Sequence, residues 1–105
     1  MNATEYFDQL LSEIPGAVPG KMFGALCAKM PNGKAGMMLK DETLLVKIPE
    51  EMAKKEGFPV FTPMENRPMK GWYEIAFSQK DDWKKFAELS CSEVAELEPN
   101  KKKKQ

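Results

Sequence analysis

The stretch Gly20-Lys21-Met22-Phe23-Gly24-Ala25-Leu26-Cys27-Ala28-Lys29-Met30 decides how this chain folds. Written as an extended strand, it places apolar side chains on both faces, and a strand of that kind is usually central in its sheet. The glycine at position 24 is expected to mark a bulge or a close approach of another element. We therefore predict a central first strand over residues 20–30.

The residues after this stretch predict an antiparallel meander. Asn32-Gly33 lies between two apolar runs and is a strong hairpin signal, because both residue types tolerate positive φ. Alternating apolar residues then predict a second strand over 35–40 and a third over 43–48, with Asp41-Glu42 as the turn between them. Three consecutive antiparallel strands follow from this spacing.

Two more strands are predicted further along the chain. Residues 58–64 are extended, but Pro59 and Pro63 favour an edge or irregular strand, since proline cannot donate to a ladder. Residues 71–77 alternate again and predict a regular strand.

Helical spacing predicts three helices. The first begins at Thr4, and one apolar stripe on it consists of Phe7, Leu10, Leu11 and Ile14. A short helix follows Pro49 and ends at Gly57. The last runs over 79–97, with a capping box formed by Ser78 and Asp81.

These elements predict an α+β fold. It is a two-layer sandwich in which the helices cover one face of an antiparallel sheet of about five strands, in the order α-β3-α-β2-α. A chain of 105 residues suits one domain. We assign that domain to residues 1–98 and expect residues 99–105 to form a disordered basic tail.

Charge and hydropathy narrow the classes of function. Lys101–Lys104 supply four of the 16 basic residues, so the rest of the chain holds 12 basic and 16 acidic residues, a net charge of −4. An acidic body is a poor match for a phosphate backbone, so nucleic-acid binding is expected to be weak at most. No apolar run approaches the ~20 residues that span a bilayer, and the N-terminus lacks signal-peptide features. We expect a cytoplasmic protein with no membrane partner.

No catalytic constellation stands in the sequence. The chain has no histidine, which excludes Ser–His and Cys–His pairs. Cys27 and Cys91 are far apart and lie within apolar patterns, so we interpret both as small buried hydrophobes rather than metal ligands. The carboxylates lie mostly at helix ends or on solvated faces. We predict no enzymatic activity, no metal site and no cofactor.

The face of the sheet opposite the helices is the candidate interaction surface. One set of alternating residues is expected to point to the helices: Leu44, Val46, Ile48, Tyr73, Ile75 and Phe77. The other set then points away: Leu45, Lys47, Trp72, Glu74 and Ala76. Aromatic and methionine side chains mixed with charges are typical of interaction surfaces. Two alternatives stay open: the face binds a partner or a second copy, or the loop over 58–70 or the end of the last helix covers it.

Several fragments together resemble a known family. They are Met22-Phe23-Gly24, Gly33-Lys34, Leu45-Val46-Lys47-Ile48-Pro49, Phe61-Thr62-Pro63-Met64, Arg67-Pro68-Met69-Lys70-Gly71-Trp72-Tyr73-Glu74-Ile75, and Trp83 with residues 97–104. In this order they look like the TfoX/Sxy N-terminal domain family, including its small stand-alone bacterial members. The resemblance implies a fold like that of secretion chaperones, a regulatory role and no established catalytic activity. TfoX itself carries a second, C-terminal domain, for which we expect no counterpart here, and Ala25 stands where the family often has glycine.

Function is therefore expected to be that of a non-enzymatic regulatory module that binds a protein partner or itself. The candidate interaction residues are Met22, Phe23, Gly24, Leu45, Lys47, Arg67, Met69 and Trp72. The alternative is a weak nucleic-acid-associated transcription or competence regulator whose lysine-rich tail contacts phosphates. A third hypothesis is a small-molecule-binding protein or an enzyme. Its pocket would lie between the loop over 58–70 and the Met22-Phe23-Gly24 strand, with Lys34, Lys47 and Arg67 as anion ligands.

Overall fold

Five antiparallel strands follow one another through a single sheet. The computed structural model describes residues 2–22, 25–62, 68 and 71–97. Within them the strands are β1 (Val18–Met22), β2 (Ala25–Lys29), β3 (Ala35–Lys40), β4 (Thr43–Lys47) and β5 (Trp72–Ala76), in the spatial order β1-β2-β3-β4-β5. The helices are α1 (Ala3–Ser12), α2 (Glu50–Glu56) and α3 (Trp83–Ala95), with a 3-10 helix over Phe77–Asp82. The predicted small α+β fold is confirmed.

The predicted strand over 20–30 is wrong in one respect, because the structure divides it into β1 and β2. The two strands pair antiparallel, with Val18 opposite Lys29 and Met22 opposite Ala25, so only two residues separate them. Phe23 and Gly24, which the sequence predicted to lie inside this strand, lie outside the described residues. β1 is an edge of the sheet, and its Pro19 is a residue that edge strands tolerate.

In the described part of the predicted strand over 58–64, a single β-bridge forms. Val60 pairs with Tyr73, and two hydrogen bonds flank the pair: Phe61 N–H to the Trp72 carbonyl at 2.7 Å and Glu74 N–H to the Pro59 carbonyl at 2.9 Å. Pro59, which has no N–H, limits the pairing as expected. The number of strands is thus as predicted, but four of them precede α2.

The helices cover one face of the sheet and bury the main core against it. Alternating strand residues contribute to this core, as predicted: Leu44, Val46, Ile48, Tyr73 and Ile75. From α3, Trp83 and Phe86 are fully buried, and the Trp83 indole N–H is shared between the carbonyls of Ile75 and Ala76, each at 3.1 Å. No helix in the described part of the chain has both the length and the apolar character needed to cross a bilayer.

Two of the predicted helix starts are corrected. Asn2 caps α1 instead of Thr4: its side chain accepts the Glu5 N–H at 2.8 Å, and the Glu5 carboxylate accepts the Asn2 N–H at 3.1 Å. Asparagine is as good a cap as threonine, and the glutamate three residues later completes the reciprocal pair. The capping box predicted at Ser78 and Asp81 does not form, because the chain enters α3 through the 3-10 helix.

Both predicted hairpin turns are present. Between β2 and β3, Gly33 takes a φ of 86°, while Asn32 is not left-handed, so the turn differs from the expected pair of positive-φ residues. The side-chain amide of Asn32 instead donates to the backbone carbonyls of Val94 and Leu97, at 2.7 and 3.1 Å. This hairpin therefore caps the C-terminal end of α3.

A β-bulge at Gly36 brings α3 onto the sheet. Ala28 and Lys29 are consecutive in β2, yet they pair with Met37 and Ala35, so Gly36 is the extra residue of β3. A Cβ atom at position 36 would stand only 2.7 Å from Cys91 Sγ and 3.1 Å from Cys91 Cα. The close approach predicted at Gly24 lies outside the described residues and stays a prediction, while a contact of that kind is found at Gly36.

Ser90 of α3 connects β3 and β4 at this bulge. Its hydroxyl accepts the Lys47 N–H at 2.7 Å and donates to the Gly36 carbonyl at 2.5 Å. Ser90 has no exposed surface. Since the serine has a partner both as donor and as acceptor, the opening in the ladder leaves neither backbone group unsatisfied.

Gly36→Ala is expected to lower the free energy of unfolding by about 1–3 kcal/mol, because the new methyl group would overlap atoms of α3, one of them backbone. Urea denaturation measures the loss. Gly20→Ala is the matched control: its Cβ would meet only the flexible Lys29 side chain, at 3.2–3.3 Å. Equal losses in the two variants would contradict the close-approach role of Gly36.

Ser90→Ala is expected to cost about 1–3 kcal/mol, because the buried Lys47 N–H and Gly36 carbonyl lose their shared partner. Ser92→Ala, on the exposed face of the same helix, controls for helix propensity. Chemical denaturation of both variants gives the difference. A Ser90→Ala protein as stable as Ser92→Ala would show that other groups satisfy these two backbone atoms.

Candidate functional site: the outer face of the sheet

The outer face, opposite the helices, has a small core of its own. It consists of Cys27, Ala35, Met38, Leu45, Phe61 and Trp72. As predicted, Leu45 and Trp72 point away from the helices and lie together. Leu45 is 1 % exposed and Trp72 is 8 % exposed, so the face is not open at these positions.

Phe61 accounts for part of this cover. It is the one described member of the outer core that lies outside the five strands, and it is 4 % exposed. The two backbone hydrogen bonds around Val60 hold its segment along β5. Of the two alternatives for this face, cover by the loop over 58–70 is therefore the one found at Leu45 and Trp72.

Three lysines surround the outer core. Lys29, Lys40 and Lys47 alternate with helix-facing residues of their strands and are half-buried. The Lys29 side chain lies across Gly20, and that of Lys47 approaches Gly71. Because neighbouring strands are about 4.8 Å apart, Lys29 on β2 and Lys47 on β4 are separated by about 10 Å. The lysines therefore stand around the apolar centre and their stems add to its cover.

Charge is divided unequally between the two layers. Among the described residues, the helices and their adjoining turns hold five lysines and eleven carboxylates, a net charge of −6. The strands and the turns between them hold five lysines and three carboxylates, a net charge of +2. The sheet layer is therefore the more favourable side for an acidic partner.

Glu74 is the described carboxylate with a perturbed environment. It points to the outer face from β5, where burial raises its pKa above the usual 4.5, and a hydrogen bond from the Thr62 backbone acts in the opposite direction. Together with Lys40, Asp41, Thr43, Leu45, Phe61 and Thr62, it lines a trough of about 240 Å³. A partly buried carboxylate in a concavity is a common property of binding sites.

The two cysteines are buried, as the sequence predicted. Both are free thiols, and burial raises the pKa of each, that of Cys91 to about 12. A thiol with a raised pKa holds little thiolate and is a poor nucleophile. Within the described residues, no group of three or more histidine, cysteine or acidic side chains could hold a metal ion.

The predicted site residues separate into two groups. Leu45 and Trp72 meet in the outer core, Lys47 lies at its border, and Met22 ends β1. Phe23, Gly24, Arg67 and Met69 lie outside the described residues, and so the predicted loop around Arg67 is represented by Pro68 alone.

Phe61 and Glu74 were not among the predicted site residues. Phe61 stands between Pro59 and Pro63, where it has no periodic context that would assign it to a face. Strand alternation correctly placed Glu74 on the outer face with Trp72, but nothing in that pattern distinguished it from a solvated carboxylate.

Glu74→Gln is expected to gain stability relative to the wild type as pH rises from 4 to 8. Because the folded-state pKa of Glu74 is raised above 4.5, the folded protein binds more protons, and wild-type stability falls as pH rises through that window. Glutamine has no proton to lose and can still accept the Thr62 N–H.

Melting temperatures at pH 4 and pH 8 test this prediction. Glu88→Gln, which removes an exposed carboxylate of α3, is the control for a change in net charge. A difference between Glu74→Gln and wild type that stays constant with pH, or shrinks as pH rises, would contradict the raised pKa.

Comparison with known proteins gives no relative for this chain. No protein-family model matches it, no curated protein matches it, and no solved structure matches it. Function therefore has to be argued from the residues of the chain itself.

Proposed function

We propose that this protein is a non-enzymatic interaction module, of the type that the TfoX/Sxy N-terminal family represents, which binds a protein partner or a second copy of itself through the outer face of the sheet. The observation that carries the proposal is the border of this face, where Lys29, Lys40 and Lys47 are half-buried around an apolar core that Phe61 partly covers. The family resemblance implies that such a module acts as a regulator in the cytoplasm of a bacterium.

The charge distribution supports a partner with an acidic surface. The helix layer, at −6, repels such a partner, while the sheet layer, at +2, attracts it. A field of this kind orients the encounter and raises the association rate more than it raises affinity. The helix layer of a second copy is itself an acidic surface of this kind.

The test compares charge reversals on the two layers. Lys29→Glu with Lys47→Glu reverses the outer face, and Lys55→Glu with Lys80→Glu makes the same change in net charge on the helix layer. Each protein is first checked for its fold by circular dichroism. Light scattering after size exclusion then reports self-association, and quantitative crosslinking in lysate reports other partners.

We expect the outer-face variant to lose the dimer or the crosslinked partner and the helix-layer variant to keep it. Equal behaviour of the two variants would contradict this use of the face. Trp72→Glu is unsuitable for this purpose because Trp72 is buried, so the variant would test stability instead of binding.

A second function, weak nucleic-acid association, is favoured by the four lysines over 101–104. Four phosphate contacts give a log–log salt slope of about −3 to −4. Fluorescence anisotropy with a labelled single-stranded oligonucleotide measures this slope for the full chain and for a chain that ends at residue 98. A slope unchanged by the truncation would exclude the tail as the contact.

A further inference from the structure

The hairpin between β2 and β3 contains a dipeptide that can modify itself. In Asn32-Gly33 the backbone nitrogen of the glycine can attack the side-chain amide carbon of the asparagine, so that a succinimide ring closes and ammonia leaves. Glycine favours this attack because it has no side chain to obstruct it. Water then opens the ring to aspartate or isoaspartate. The other asparagines of the sequence precede larger residues: Asn2 precedes alanine, Asn66 arginine and Asn100 lysine.

The leaving nitrogen of this reaction is the atom that joins the hairpin to α3. The amide nitrogen of Asn32 donates to the backbone carbonyls of Val94 and Leu97, at 2.7 and 3.1 Å. The side-chain oxygen accepts the Lys34 N–H at 3.0 Å, and the side chain is half-buried. Loss of ammonia therefore removes both contacts of the hairpin with the end of the helix.

The attacking nitrogen is also engaged in the folded protein. The Gly33 N–H donates to the Met30 carbonyl at 2.8 Å, and the nitrogen must give up this proton before the ring can close. The reaction thus destroys hydrogen bonds of both reacting nitrogens. Local separation of the hairpin from α3 breaks these bonds first, so the open form is the reactive one.

We propose that Asn32 is a site of spontaneous deamidation and that this modification releases the end of α3 from the β2–β3 hairpin. An aspartate at position 32 places carboxylate oxygens where the amide donated, and acceptors then face the two carbonyls without a hydrogen between them. Isoaspartate adds a carbon atom to the backbone of a tight turn. The contact is lost permanently in both products, because the ammonia escapes. This site is independent of the proposed docking surface.

The end of α3 has little apolar packing that could replace the lost contact. Val94 is buried, but Ala95, Glu96 and Leu97 are exposed, and Leu97 keeps 42 % of its surface accessible. Because Val94 remains in the main core, the release is confined to the last turn of the helix.

Incubation of the full chain at pH 8, followed by peptide mass mapping, tests the modification. We expect Asn32 to be the first asparagine that exchanges nitrogen for oxygen, at a rate at least about tenfold lower in the native protein than in urea. Val94→Ala and Val46→Ala remove the same methyl groups from buried sites, at the end of α3 and in β4. The first is expected to accelerate the native reaction at least about threefold, while the second leaves it unchanged.

Two outcomes of this incubation overturn the proposal. An Asn32 that stays intact in urea as well as in buffer overturns the site. Equal rates in urea and in buffer, or equal rates in the two valine variants, overturn the protection by α3.

Variants at position 32 test the release of α3 separately from the chemistry. Asn32→Asp copies one product, and Asn32→Ala removes the donor without adding a charge. After circular dichroism has confirmed both folds, we expect amide hydrogen exchange in the last turn of α3 to be at least about threefold faster in Asn32→Asp than in Asn32→Ala, with α1 as the internal control. Exchange in Asn32→Asp as slow as in the wild type overturns the release.

Discussion

The Ser90 hydroxyl is the contact on which the two layers depend. It accepts the N–H of Lys47 and donates to the carbonyl of Gly36, so one helix side chain closes the gap that the bulge opens between β3 and β4. The extra residue at the bulge is glycine, and no larger residue would let Cys91 come so near. A polar residue thereby fixes the position of α3 over the sheet, where apolar packing alone would tolerate small shifts.

Placement of α3 determines how the rest of the main core forms. Ser90 fixes the middle of α3 on the central strands. At the N-terminal end of the helix, the Trp83 indole N–H donates to the last two carbonyls of β5. At the other end, the last carbonyls of the helix meet the amide of Asn32 in the β2–β3 hairpin. Polar contacts at three places along one helix thus align it with β5, with the pair β3 and β4, and with the β2–β3 hairpin.

Much of this fold could be predicted from the sequence, since alternation and turn residues are local signals. The faces of β4 and β5, the hairpins at 31–34 and 41–42, and the approximate helices all came from such patterns. The strand predicted over 20–30 shows where they fail. A run that is apolar on both faces is compatible with one long central strand and also with two short strands joined by a tight turn. Only the pairing with the rest of the sheet distinguishes these two structures.

The outer face was predictable in its membership but not in its exposure. Strand alternation placed Leu45 and Trp72 together, yet whether they meet solvent depends on Phe61, which comes from a segment rich in proline with no periodicity. The trough depends on the same segment. Sites made where an irregular segment crosses a sheet are set by tertiary contacts that no local pattern encodes.

The edges of the sheet have a consequence for how this protein behaves at high concentration. β1 presents proline and lysine at its edge. On β5, the Trp72 carbonyl and the Glu74 N–H bond to the Pro59–Phe61 segment, and the carbonyls of Ile75 and Ala76 accept the Trp83 indole N–H. Bare edges are the usual templates for intermolecular β-aggregation. Protected edges of this kind disfavour the continued backbone pairing between molecules that leads to fibrils.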